Sequence, residues 1–112
     1  MGGRGQAERR GHRRVALALD AGLEIVGEEQ AVAAIVEDAS LSGVRLRCFE
    51  DLPPGTQAFL VIELPDHLPI AAIVESVACT GRAADGLARS HLAIRRMSDA
   101  SRARLAALLA GR

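Results

Sequence analysis

The feature that most constrains how this 112-residue chain folds is a series of short apolar or alternating segments separated by turn residues. Val44, Leu46 and Cys48, for example, alternate with two arginines. Successive side chains of a β-strand point to opposite faces, so such alternation predicts strands with one buried face. The segments with strand character are 15–20, 31–37, 44–48, 58–64, 69–78 and 88–95.

Turn residues separate these segments. The tetrad Leu52-Pro53-Pro54-Gly55 combines prolines, which preset φ, with a glycine that tolerates positive φ, and the pairs 65–66, 80–81 and 85–86 are similar signals. Short strands at close intervals are typical of an antiparallel barrel or sandwich. The sequence therefore predicts an all-β fold.

The C-terminal segment has a different periodicity. Ser98 is a suitable N-cap, Asp99 suits the first helical turn, and Leu105, Leu108 and Leu109 recur at helical spacing. We therefore predict one amphipathic helix over residues 99–110, packed on the barrel. A chain of this length fits one domain, which buries about 65% of its unfolded surface.

The composition excludes several classes of protein. The formal net charge is zero, which argues against binding to nucleic acid or membrane surfaces driven by overall charge. No apolar run is long enough to span a membrane, and no signal peptide is evident, so a cytoplasmic location is expected. Cys48 and Cys79 are expected to be reduced.

Basic charge is concentrated at the N-terminus. All fourteen basic residues are arginines, and five of them lie within the first fourteen positions, in a stretch that also contains glycine and shows no apolar period. We interpret residues 1–14 as a flexible basic arm and residues 15–112 as the folded domain.

Two short motifs are candidates for ligand binding. Arg10 and Arg14 form an RxxxR motif directly after Arg9, and Asp38, Ser40 and Gly43 form a DxSxxG motif before a strand. Each motif alone has a simpler explanation. The first is compatible with a solvated basic tail, and the second with an Asx turn that ends on a glycine at positive φ.

Taken together, and in this order, the motifs resemble those of the PilZ domain family. The resemblance extends from Glu8 to Leu109 and includes the segment 36–44, the Leu-Pro-Pro-Gly turn and the terminal helix. It implies a six-stranded antiparallel split β-barrel with a C-terminal α-helix. It also implies binding of the bacterial second messenger cyclic di-GMP.

The resemblance assigns the ligand residues by position. Arg10 and Arg14 fall on the two arginines of the family's first motif, and Asp38, Ser40 and Gly43 fall on its second motif. An arginine in the position of Arg9 is associated in the family with binding of two intercalated ligand molecules.

The chemistry of these residue types agrees with this ligand. The planar fork of arginine pairs with phosphate or with the O6 and N7 atoms of guanine, and its face stacks on bases. An ionised Asp38 would accept from the N1–H and N2 amino groups of guanine, and Ser40 can donate or accept. Gly43 would let backbone and ligand approach closely. Arg10 and Arg14 are at most about 14 Å apart, so they can reach opposite sides of one dinucleotide.

These expectations describe a receptor. Ligand phosphates would offset the charge of the arm, the arm would close over the barrel, and a separate, unidentified protein would recognise the new surface. No nucleophile motif, phosphate-binding glycine loop or metal-ligand spacing is present in the sequence, so we expect neither an enzyme nor a cofactor or metal site.

Two alternatives remain open. The chain is compatible with a PilZ-like adaptor that binds proteins and no nucleotide, although such domains usually lack the motif arginines. A single-strand nucleic-acid binder would need aromatic stacking platforms, and only Phe49 and Phe59 are available.

Overall fold

The structure, a computed structural model, describes residues 13–111 as a closed β-barrel followed by one helix. All strand pairs are antiparallel, and the ring β1-β2-β3-β6-β5-β4 closes because β4 pairs with β1. The predicted six-stranded antiparallel barrel with a C-terminal helix is confirmed. The elements are β1 (Val15–Ile25), β2 (Val32–Ala39), β3 (Gly43–Cys48), β4 (Gln57–Ile62), β5 (Ile70–Arg82), β6 (Ala88–Met97) and α1 (Asp99–Ala110).

The core fills the inside of the barrel with aliphatic side chains from alternate strand positions. Because the chain has only two phenylalanines and no larger aromatic residue, branched aliphatic residues occupy this space. Leu105 and Leu109 of α1 join the same cluster, so the helix packs on the barrel as its spacing predicts. The most deeply buried large side chains include Leu23, Leu46, Leu60, Ile62, Ile70, Val74 and Leu92.

Helix α1 begins where the sequence predicts. The Ser98 hydroxyl accepts a hydrogen bond from the Ser101 amide at 3.1 Å, which satisfies one of the free donors of the first turn. The Ser101 hydroxyl accepts from the Ala71 amide at 3.0 Å, and Arg104 Nε donates to the Pro69 carbonyl at 3.0 Å. These bonds fix the helix against the start of β5. The described part of the chain, residues 13–111, contains no helix long and apolar enough to cross a membrane.

Strands β1 and β5 extend well beyond their predicted ends. Strand β1 continues to Ile25 because Leu23 and Ile25 keep the alternation and close the ring against β4. Strand β5 continues to Arg82, so the turn predicted at residues 80–81 is wrong. The extra residues pair with the start of β6 through register shifts, and the turn lies at the other predicted pair, Asp85-Gly86, where Gly86 has φ +84°. Gly55, at φ +97°, confirms the predicted Pro-Pro-Gly turn.

The two cysteines are unpaired, as expected, with Cys48 buried and Cys79 half-buried. The proposed N-terminal arm, residues 1–14, lies mostly outside the described residues. Arg9 and Arg10 are among the residues not described, and the arm remains a prediction.

Candidate functional site

The two sequence motifs meet at an ion pair between Arg14 and Asp38. Arg14 Nη1 lies 2.6 Å from Asp38 Oδ1. The antiparallel register between β1 and β2 explains the contact, because Ala16 is paired with Asp38 and Arg14 stands just before β1. Only 17% of the Asp38 side chain and 32% of the Arg14 side chain are exposed. The last arginine of RxxxR is thus held on the first residue of DxSxxG.

A second arginine completes the pairing of Asp38. Arg45 is the partner of Asp38 across the β2–β3 ladder, and its Nη1 lies 3.2 Å from Asp38 Oδ2. Directly paired residues of neighbouring strands project from the same face. Two guanidinium groups around one carboxylate leave this cluster with a net positive charge, which favours an anionic ligand.

His91 forms the other side of the cluster. Arg14 Nη2 contacts His91 Nε2, and His91 is the ladder partner of Arg45 on β6. Arginine can only donate, so a hydrogen bond between these two atoms requires that His91 Nε2 is unprotonated. Burial of the ring lowers the pKa of His91, and the nearby Arg14 and Arg45 charges lower it further. His91 therefore presents a neutral ring beside Arg14.

Ser40 shapes the turn between β2 and β3. Its amide donates to the Gly43 carbonyl at 2.8 Å, and its hydroxyl accepts from the Ser42 amide at 3.2 Å. The residue is only 2% exposed. Its side chain thereby holds the loop after Asp38 in one conformation, as serine hydroxyls do in local turns.

The interpretation of DxSxxG as an Asx turn predicts a positive φ at Gly43, but the structure gives another reason for a glycine at this position. Its φ is not positive; the described glycines at positive φ are Gly27, Gly55 and Gly86. A Cβ atom at Gly43 would instead lie 2.8 Å from the carbonyl oxygen of Leu92 on β6. The glycine thus allows β3 and β6 to approach each other beneath the cluster.

We predict that Gly43→Ala lowers the free energy of unfolding by about 1–3 kcal/mol, because the obstructing atom belongs to the backbone and a strand must shift. Urea unfolding followed by far-UV circular dichroism measures this. Gly22→Ala is the matched control: it also lies in a strand, but its Cβ would meet nothing within 4 Å. Equal stability of the two variants would contradict the close-approach explanation.

A surface cavity of about 390 Å³ opens beside the cluster. Its lining includes the polar or charged residues Arg14, Ser42, His91 and Arg95, together with Gly43 and apolar residues such as Val77 and Ile94. Charged donors next to apolar wall residues suit a ligand that has both phosphates and flat rings. Among residues 13–111, no cluster of His, Cys, Asp or Glu has the arrangement of a metal site.

The structure thus brings together Arg14, Asp38, Ser40 and Gly43 of the six candidate residues, while Arg9 and Arg10 lie outside the described residues. Sequence reasoning missed Arg45 and His91 as members of this cluster. Arg45 was recognised only as part of a charged strand face. His91 had no local signal, because β3 and β6 are distant in sequence and their pairing places it there.

A family model and two solved structures are similar to this chain. The family model described as "PilZ domain" matches residues 8–111. The Bacillus subtilis inhibitor of motility MotI/DgrA superposes with a TM-score of 0.74 at 16% identity, over 90% of this chain and 49% of that one, so this chain spans about half the length of MotI/DgrA. The PilZ domain of CeSA from a cellulose-synthesizing bacterium superposes with a TM-score of 0.61 at 16% identity, over 88% of this chain and 96% of that one.

No curated protein sequence matches the chain. The structural likenesses, at 16% identity, show the shared barrel fold, and the family model spans both candidate motifs as well as the helix. The chain therefore belongs to the PilZ domain family.

Proposed function

We propose that this chain is a cyclic di-GMP receptor that passes the signal to a separate protein by changing shape, without catalysis. PilZ domains are generally receptors or adaptors for this nucleotide. The observation that supports the proposal most directly is the Arg14–Asp38 ion pair, which joins the two motifs beside a cavity that Arg14 lines.

In this proposal, Arg14 and Arg10 bind the phosphates or the guanine O6 and N7 atoms of the ligand, and Arg9 favours a second, intercalated ligand molecule. The guanidinium of Arg14 is already positioned, because Asp38 and His91 hold it at the cavity. Binding then loses less side-chain freedom than it would with an unrestrained arginine.

In the same proposal, the carboxylate of Asp38 recognises guanine by accepting hydrogen bonds from its base edge. A carboxylate offers about four lone-pair sites, and the two arginines take one on each oxygen. The carboxylate therefore retains acceptor sites for the N1–H and N2 amino groups of guanine while Arg45 stays in place. Ser40 and Gly43 contribute through the shape of the loop that carries Asp38, and Ser40 offers its hydroxyl if the loop opens.

The signal is a rearrangement of residues 1–14 against the barrel, which costs about 2–5 kcal/mol of ordering free energy and is offset by the phosphate contacts. The reorganised surface is recognised by another, cytoplasmic protein.

We expect the full chain to bind cyclic di-GMP in an isothermal titration and to bind cyclic di-AMP at least about tenfold more weakly. Adenine has no N1–H donor and no N2 amino group for Asp38 to accept from, and loss of a hydrogen bond to a charged group has at least this effect. The same titration gives the stoichiometry, which is two ligands for each chain if Arg9 acts as proposed.

A titration without heat or saturation would contradict the receptor and favour the protein-binding adaptor. Equal affinity for the two nucleotides would remove the role of Asp38. Salt-sensitive binding to single-stranded oligonucleotides would favour the nucleic-acid alternative, although its two possible stacking residues belong to different elements. Phe59 is on β4, and the ring of Phe49 lies against the β5–β6 turn at Gly86.

A further inference from the structure

The cavity beside Arg14 has a second arginine in its lining, Arg95 of β6. Arg95 Nε lies 3.3 Å from Glu75 Oε1 on β5. In the described part of the chain, residues 13–111, the Arg95 side chain donates to this carboxylate alone, through Nε. Because a guanidinium carries further N–H donors on its terminal nitrogens, Arg95 retains donors for an anion at the cavity.

Small residues leave room between the two arginines. Ala93 is the ladder partner of Gly43, and both line the cavity. Along β6, Ala93 lies between His91, which contacts Arg14, and Arg95. Residues of a strand are about 3.4 Å apart, so the Cα atoms of His91 and Arg95 are at most about 14 Å apart. Only a methyl group and a hydrogen atom occupy the paired position between the two cationic groups.

Two irregularities of the β5–β6 ladder border this cavity. Arg95 is the extra residue of β6 where the register shifts beside Ile73, and Val77 is the extra residue of β5 where it shifts beside Ser76. Both extra residues line the cavity. A β-bulge redirects side chains, and bulges are frequent next to functional sites. The regular ladder is thus interrupted at the two points where β5 and β6 contribute an apolar and a charged side chain to the cavity.

We propose that Arg95 is a further ligand-binding residue of this cavity and binds one phosphate of the cyclic dinucleotide, the one farther from Arg14. The inference rests on the proposed binding of cyclic di-GMP, which has two phosphates. The planar fork of arginine pairs with phosphate. Arg14 is held by Asp38 and Arg95 by Glu75, so both guanidinium groups are restrained before the ligand binds.

The ion pair with Glu75 gives Arg95 little structural importance of its own. The Arg95 side chain is 51% exposed and the Glu75 side chain 30%. Pairs as exposed as this contribute little to folding stability. Arg95→Ala is therefore expected to fold, which far-UV circular dichroism establishes, and a change in its affinity for the ligand is a property of the cavity.

Isothermal titration of the full chain with cyclic di-GMP tests the proposal with three variants. Arg95→Ala is expected to lower the affinity about tenfold or more, because it removes hydrogen bonds to a charged group. Arg96→Ala is the control, since it removes the same charge from the next residue, which is exposed and outside the cavity lining. Glu75→Gln keeps an acceptor for Arg95 Nε and removes a negative charge near the ligand, so it should bind at least as tightly as the wild type.

Cyclic di-AMP identifies the group that Arg95 contacts, because it keeps both phosphates but lacks the guanine O6 atom. Arg95→Ala should weaken the binding of both nucleotides by the same factor. A loss confined to cyclic di-GMP would mean that Arg95 contacts the base and would overturn the phosphate contact.

The remaining outcomes separate this inference from the proposed function. If the wild type binds cyclic di-GMP but Arg95→Ala and Arg96→Ala have equal affinities, the role of Arg95 is wrong and the receptor stands. If Glu75→Gln loses as much affinity as Arg95→Ala, the ion pair and not the guanidinium is what matters, and the role of Arg95 is again wrong. A wild-type chain that does not bind cyclic di-GMP would overturn the receptor and this inference with it.

Discussion

Replacement of Arg14 by alanine is expected to lower the affinity for cyclic di-GMP by about 10- to 150-fold, since a hydrogen bond to a charged group contributes about 1.5–3 kcal/mol. Of the two arginines of the RxxxR motif, Arg14 is the one whose position the structure describes. Asp38 and His91 hold its guanidinium at the cavity. Isothermal titration of the wild-type and variant chains measures the change.

Two variants separate the role of the guanidinium from that of charge. Arg13→Ala removes the same charge one position away, at an exposed residue with no ion-pair partner among residues 13–111, and should leave the affinity nearly unchanged. Arg14→Lys keeps the charge but loses the planar fork, so its affinity should lie between those of the wild type and Arg14→Ala. Similar losses in Arg13→Ala and Arg14→Ala would mean that only overall charge matters, and the site would be wrong.

The variant is not expected to unfold. Arg14 is about one-third exposed, and Asp38 keeps Arg45 as a partner when Arg14 is removed. Partly exposed ion pairs contribute about 0–1 kcal/mol to folding. A loss of binding in Arg14→Ala is therefore a property of the site.

Local patterns predicted the elements of this fold well. Helix α1 has the predicted bounds, because its N-cap and the spacing of its leucines are local features of the sequence. The order of the strands could not be predicted from such patterns, and the six-stranded barrel was predicted from the family resemblance. The end of β5 was missed because the predicted turn pair 80–81 lies inside the strand, and β1 likewise continues through Gly22, although glycine is unfavourable in strands.

The candidate site was predictable only where its residues are close in sequence. Asp38, Ser40 and Gly43 form a motif that is visible in the chain, whereas His91 reaches Arg14 through the pairing of β3 with β6, a long-range contact. The reason for Gly43 was also invisible, because the carbonyl that excludes a side chain there belongs to Leu92 on another strand. The sequence identified the family, and it left the contacts that hold Arg14 and Asp38 in place undetermined.

Substitution of Asp38 tests base recognition through the direction of the change in affinity as well as through its size. Asp38→Ala removes the proposed acceptor for guanine and is expected to lower the affinity for cyclic di-GMP by about 10- to 150-fold. The same change frees Arg14 and Arg45 from their carboxylate, which strengthens their attraction to phosphate. Binding driven by phosphate alone would therefore become tighter in this variant, so the two models predict changes of opposite sign.

The inosine analogue cyclic di-IMP, which lacks the N2 amino group but keeps N1–H and both phosphates, isolates the carboxylate–amino contact. The wild-type chain is expected to bind cyclic di-GMP about tenfold more tightly than the analogue, and Asp38→Ala is expected to bind the two equally. The four affinities form a thermodynamic cycle in which phosphate contacts cancel. If Asp38→Ala keeps the full preference for cyclic di-GMP, another group reads the base, and Asp38 serves only to hold Arg14 and Arg45.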